Sequence, residues 1–296
     1  MRRRHPGMTA LWLILIALTL SCGSDNPTGS AEDTPDDIGI TFVTIPGGTF
    51  QMGDVEGVGG DHEKPVHMVT VSGFEIGIYE VTNAQYVAYL TEALASGDIT
   101  ATNTSVQGAS GGWSGEEYLD LDSDYYQISY SGGAFTVESG TENRPVIEVT
   151  WYGSKSFALY YGLDLPTEAE WEYACRGGGQ LMYGTDDGTI DSSKVNYIDN
   201  VFHTTYVGIY PSNPFGLYDM SGNVWEWCHD WYGAYTEDSA TNPSGAQSGF
   251  DRVGRGGGWN EIAGDCRAAY RNYGNPGISN YSLGFRVVRR PGGLTY

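Results

Sequence analysis

The sequence predicts a single irregular α+β domain: little regular secondary structure, twisted antiparallel strands and a few short helices. Three observations carry that expectation. Glycine supplies 43 of the 296 residues, roughly double ordinary usage, so turns outnumber long elements. Aromatic residues make up 13% of the chain, with 22 tyrosines, and such rings bury large areas without needing long helices. From Gly177 onward the apolar runs are short and turn residues dominate, which argues against a helical bundle.

Taken in order, Met1–Arg4 carries three arginines, Leu11–Leu20 is apolar, and Ser21-Cys22-Gly23-Ser24 follows. A charged start, an apolar stretch too short to span a bilayer and a small-residue cleavage site predict a secretory leader over residues 1–21. Its removal would leave 275 of the 296 residues and would take Arg2, Arg3 and Arg4 with it, moving the net charge from −22 to −25. Cys22 stands where a lipoprotein signal places its modified cysteine. Residues 22–39, poor in apolar side chains and rich in Ser, Pro, Asp and Gly, read as a flexible tether. A lipidated chain is anchored and does not span. Gly23, which is not Asp, favours the outer membrane or cell surface, so the expected location is extracytoplasmic with the lipid as the membrane contact.

Thr41–Met52 reads as two β-rich runs around Pro46-Gly47-Gly48, a hairpin signal. His67–Val71 alternates as a strand and Phe74–Tyr79 continues as another. A short helix is expected over Thr82–Leu90, and two more over Trp151–Gly162 and Thr167–Cys175, the last opened by Thr167 with Glu170 as its capping-box partner. The Gly/Ser/Thr-rich stretch of about 96–143 reads as an insertion, with a hairpin over Tyr125–Val137 around Ser131-Gly132-Gly133.

The charge excludes sequence-independent nucleic-acid binding, which needs clustered Lys and Arg along a phosphate track. It excludes electrostatic attraction to anionic lipid for the same reason. His62-Glu63-Lys64-Pro65-Val66-His67 misses the zinc-protease spacing by one residue, and Pro65 would break the helix. Asp120, Asp122 and Asp124 open like a calcium loop but lack its central Gly and closing Glu. Beyond Cys22, three cysteines remain, Cys175, Cys228 and Cys266; an odd count leaves at least one unpaired.

A specific signal sits at Asn213–Tyr232 (NPFGLYDMSGNVWEWCHDWY). With Phe42–Asp54, Pro65–Leu90, Leu165–Gly178, Arg252–Asn260 and Leu283–Val287, it resembles the formylglycine-generating, sulfatase-modifying-factor family, and the blocks run in the family order. The resemblance implies one domain over residues 40–290, of the C-type-lectin-like type, with bound calcium. The positions that match the family's metal stretch are Asp219, the Gly222 and Val224 carbonyls, and Glu226. A second set maps to Asn196, the Tyr197 carbonyl, Asp199 and the Val201 carbonyl.

The resemblance also implies a copper-dependent oxidase acting through two cysteine thiolates, and here the sequence departs from the pattern. Glu261 stands at the first thiolate position, and Cys266 is the one cysteine near the second. One thiolate and a carboxylate make a poor Cu(I) site, so no catalytic residue and no copper are expected. What remains is a presented surface, Trp259, Asn260, Glu261, Arg267, Tyr270, Arg271, Tyr273, Asn275 and Tyr281, in a segment whose Tyr and small polar residues suit adaptable recognition. The expected function is a non-catalytic, calcium-stabilised binding module for an exported protein, peptide or glycan. The alternatives are a divergent oxidase converting a cysteine of an exported sulfatase-type substrate to formylglycine, and a retroelement-diversified variable binding protein, a class of the same lectin-like fold whose C-terminal region the segment also resembles. A disulfide between Cys228 and Cys266 is expected to tie the presented segment to its base; the competing reading is three buried free thiols.

Overall fold

The computed structural model describes residues 38–198 and 200–291. The leader, Cys22, nearly all of the tether and Asp199 lie outside the described residues. Among those described, the elements in chain order are β1 (Phe42–Ile45), β2 (Gly48–Met52), β3 (His67–Val71), β4 (Phe74–Gly77), α1 (Asn83–Ser96), β5 (Ile99–Ala101), β6 (Ser105–Gly108), β7 (Glu117–Asp120), β8 (Ile128–Ser131), β9 (Ala134–Val137), α2 (Trp151–Tyr160), α3 (Glu168–Cys175), β10 (Trp225–Trp231), β11 (Ala240–Thr241), β12 (Arg252–Arg255), β13 (Asn272–Gly274), β14 (Leu283–Gly284) and β15 (Val288–Arg289). This is the irregular α+β domain that the composition predicts, mostly antiparallel strands in small sheets.

The strands group as β1-β4-β15, β13-β12-β10-β14, β11-β3-β2, β5-β6-β7 and the hairpin β8-β9. The hairpin expected over Thr41–Met52 is a correction. β1 pairs with β4, and β2 with β3, in separate sheets. Pro46-Gly47 carries the chain from one sheet to the other, and a Cβ on Gly47 would come within 2.9 Å of the Gly73 nitrogen and the Val71 oxygen. The hairpin in the 96–143 stretch does form, with Gly132 and Gly133 both at positive φ between β8 and β9.

The helices start where local chemistry predicts. Thr82 caps α1 and Thr167 caps α3, each in a reciprocal capping box with Gln85 and Glu170. α1 runs past Leu90 to Ser96, ending at Gly97 with φ 83°, because Ala93 and Leu90 continue its buried stripe. Replacing Thr167 with Ala is expected to cost about 1 kcal/mol, read as a lower urea midpoint with unchanged slope; a shift under a few tenths would show that packing alone holds the α3 start.

Two apolar clusters form the core. One joins α1, α2, the 99–137 elements, Trp225, Trp227 and Phe285; the other joins β1–β4, α3, Cys228 and Val253. A layer of buried ion pairs accompanies them. Arg176, Arg255 and Arg286 are fully buried, paired with Glu172 and Glu226. Guanidinium tolerates such burial because its planar fork satisfies several acceptors at once.

Candidate functional site

β10 is the spine of the site. Strand alternation sends Trp225 and Trp227 into one core cluster and Cys228 into the other. The tryptophan face, the turn after β12 and the chain around β13 and β14 enclose a cavity of about 190 Å³. Four of the expected surface residues line it: Asn260, Glu261, Tyr273 and Tyr281. Glu261 accepts a hydrogen bond from Trp225 Nε1 at 3.2 Å. Trp259 stands behind the wall, its Nε1 donating to the Tyr281 carbonyl at 3.2 Å. Tyr270 is half-buried against Trp225, ring centroids 5.8 Å apart, and Asn275 is exposed, accepting from Gly277 N at 3.0 Å within its own turn.

Arg267 and Arg271 are corrections. Neither is presented: Arg267 grips Glu63 at 2.7 and 2.8 Å, and Arg271 grips Glu168 at 2.6 and 2.8 Å. A buried guanidinium must be paired, and these two use nearly all their capacity internally. The sequence reading also missed part of the wall. Trp225 and Trp227 belong to it, and the alternation of WEWC places both on one strand face. Tyr125 of the inserted stretch stacks on Tyr281 at 4.6 Å, a contact no local pattern announces.

The residues matched to calcium divide. Both oxygens of Glu226 are taken by Arg286 at 2.6 Å each, and Trp171 Nε1 adds a third bond at 2.8 Å. Asp219 accepts from Gly208 N at 2.7 Å, and burial pushes its carboxyl up to about 6. Glu80, bonded to Asn223 and Val224, is pushed well above the usual carboxylate range by burial and by Asp219 and Glu226. Asp219 and Glu226 therefore do not form the free carboxylate pair that the metal reading needs. Asn196 differs. Its Nδ2 donates to the His203 carbonyl, while its buried Oδ1 has no partner among the described residues, an acceptor of the kind calcium takes. Gly222, at φ 77°, packs directly on the Asn196 carbonyl, which a Cβ would meet at 2.2 Å.

The copper reading meets an unsuitable donor set. Cys266 is fully buried, and burial, with Asp265 and Glu261 nearby, holds its thiol far above the range in which it ionises. Cu(I) suits a pair of thiolates, and here the set is one thiol and a carboxylate, Glu261, which is turned to Trp225. The expected Cys228–Cys266 disulfide is likewise absent: Cys175, Cys228 and Cys266 are free and buried. Cys228 Sγ points to the Glu226 carbonyl of its own strand at 3.9 Å, while Cys266 Sγ packs under Gly257, 2.6 Å from where a Cβ would stand. Burial raises the Cys175 thiol to about 12 as well, so all three behave as small apolar side chains.

Residues 29–291 match the sulfatase-modifying factor enzyme 1-like domain. The chain belongs to that family. It is 39% identical over 267 residues to a protein of Chlamydia caviae named serine/threonine-protein kinase pkn1, covering 87% of this chain but 39% of that one. The chain thus spans about two-fifths of the length of that relative. It is 33% identical to the formylglycine-generating enzyme of Streptomyces coelicolor, covering 83% of this chain and 88% of the enzyme. Among solved structures, Treponema denticola variable protein 1 superposes with a TM-score of 0.66 at 24% identity, covering 86% of this chain and 98% of the other. That likeness shows the shared fold.

Proposed function

We propose that this family member is a non-catalytic binding module on an extracytoplasmic lipoprotein, anchored through Cys22, for a protein, peptide or glycan. The observation that carries the reading is the pair of positions where the oxidase needs thiolates: Glu261 bonded to Trp225, and Cys266 buried beneath Gly257. The cavity lined by tryptophan, tyrosine and asparagine beside them supports a recognition role, since rigid rings and small amides give contact area at low entropy cost. Calcium is proposed at the Asn196 turn, where Oδ1 is the unmet acceptor and the Tyr197 and Val201 carbonyls lie in the same stretch; there it would order the loop. It takes no part in chemistry.

The test is copper reconstitution of the reduced protein, followed by a cysteine-containing sulfatase-type peptide under dioxygen. The expected result is no formylglycine by mass spectrometry and no tight Cu(I) binding in competition with a chelator. Turnover above the copper-only control would overturn the reading.

A further inference from the structure

We propose that the cavity on the Trp225–Trp227 face binds an organic cation bearing N–H donors, a primary ammonium or a guanidinium group. This names the ligand chemistry of the site and rests on the binding-module reading above.

The argument begins with charge. Glu261 is the one ionisable acid among the lining residues, and no Lys, Arg or His lines the cavity with it. The arginines nearest in sequence are turned elsewhere: Arg267 to Glu63 and Arg271 to Glu168. Glu261 is half-buried and accepts a hydrogen bond from a neutral indole. It therefore faces the cavity without a cation from the described residues. Asp265, a second carboxyl, lies behind Glu261 within side-chain hydrogen-bonding reach; two carboxyls bond by sharing a proton, so the pair supplies one negative charge and not two. A phosphate, sulfate or carboxylate ligand would meet negative charge with nothing to offset it.

The walls suit a cation. Trp225, Trp227, Tyr273 and Tyr281 supply the rings, and the negative faces of such rings attract ammonium and guanidinium groups, most strongly where water is excluded. Tyr125 stacks on Tyr281 at 4.6 Å and extends the aromatic rim, while Tyr273, packed on one side against Tyr232 at 4.3 Å, remains 55% exposed at the mouth.

The polar atoms choose among cations. Asn260 Nδ2 reaches the Tyr281 hydroxyl at 3.4 Å, and Asn260 Oδ1 is buried without a partner among the described residues. Asn260 itself lines the cavity, so its amide oxygen is an unmet acceptor at that wall. It needs a donor. A primary ammonium or guanidinium supplies one to Asn260 and another to Glu261, whereas a quaternary ammonium, with no N–H, satisfies neither. Asn280 and Asn272 are already committed, their oxygens accepting from Ser282 and Tyr273.

The experiment titrates the calcium-loaded protein with n-butylammonium, ethylguanidinium, tetramethylammonium and propionate, reading tryptophan fluorescence and amide NMR shifts. Saturable binding is expected for the first two, at least tenfold weaker binding for tetramethylammonium, and none for propionate. Glu261→Gln, which keeps the acceptor for Trp225, should weaken the first two at least tenfold. Asn260→Asp should tighten them severalfold. Unchanged circular dichroism and melting temperature show that each variant folds, and Asn260→Asp predicts a gain that damage to the fold cannot mimic. Equal affinity for tetramethylammonium, affinity for propionate, or a Glu261→Gln effect under twofold would overturn the proposal. If no probe binds while the oxidase assay is also negative, the cation assignment falls and the binding-module reading stands. If formylglycine is produced, the module reading falls, and the Glu261→Gln comparison still decides the cation site.

Discussion

Replacing Glu172 with alanine is expected to lower stability by about 3–5 kcal/mol, the range for breaking a buried ion pair from one side. Glu172 is fully buried on α3. Its Oε1 accepts from Gly53 N at 2.9 Å and from Arg176 Nε at 3.0 Å, and its Oε2 accepts from Arg255. Removing the carboxylate leaves two guanidiniums in the interior. Arg176 keeps Glu56 at 3.2 Å, but Arg255 is left with Glu168 at 3.9 Å and backbone carbonyls. Glu172→Gln separates the contributions, because it keeps the volume and one acceptor while deleting the charge. If charge is the main contribution, Gln and Ala lose similar amounts; if packing and hydrogen bonds are, Gln recovers most of the loss. Urea unfolding at pH 7 is the measurement, and a loss under 1 kcal/mol for both variants would show that the pair is not needed.

His229 sets the second large effect, on the acid side. Burial and the neighbouring charges of Lys155, Arg252 and Arg290 hold it neutral, lowering its pKa from 6.5 to about 4, against the opposing pull of Asp164. Its Nδ1 lies 3.2 Å from Lys155 Nζ, and Lys155 pairs with Asp164. Between pH 6.5 and 4 the unfolded chain binds a proton on this histidine that the folded chain does not. Stability from His229 is therefore fully present above pH 6.5 and lost as pH falls to about 4, by up to about 3 kcal/mol. Asp219 acts with the opposite sign. Its folded pKa of about 6 lies above the ordinary 3.8, so the folded state holds the extra proton, and its contribution declines as pH rises through that window. The readout is accordingly the difference between wild type and His229→Gln. The wild type should lose up to about 3 kcal/mol more than the variant between pH 7 and pH 4. Parallel curves would mean that His229 charges without cost.

What the sequence determined by itself is what neighbouring residues decide among themselves. Thr82 and Thr167 cap helices with partners three residues on. His67–Val71 forms the strand its alternation predicts. Gly132-Gly133 turns a hairpin because both adopt positive φ. The spaced blocks from Phe42 to Val287 were enough to point to the family. What only the tertiary structure decided is which distant residue meets each charge and ring. Arg267 and Arg271 read as presented cations because Glu63 and Glu168 lie 204 and 103 positions away. Glu226 read as a metal ligand until Arg286, 60 residues later, took both its oxygens. Cys228 and Cys266 were paired on position along the chain, while packing set each thiol against a different backbone segment. The Thr41–Met52 runs carried a valid turn signal, yet strand pairing is chosen by which edges the whole chain brings together. A buried charge takes the partner that the fold delivers, since leaving it unpaired costs more than any local preference can offset.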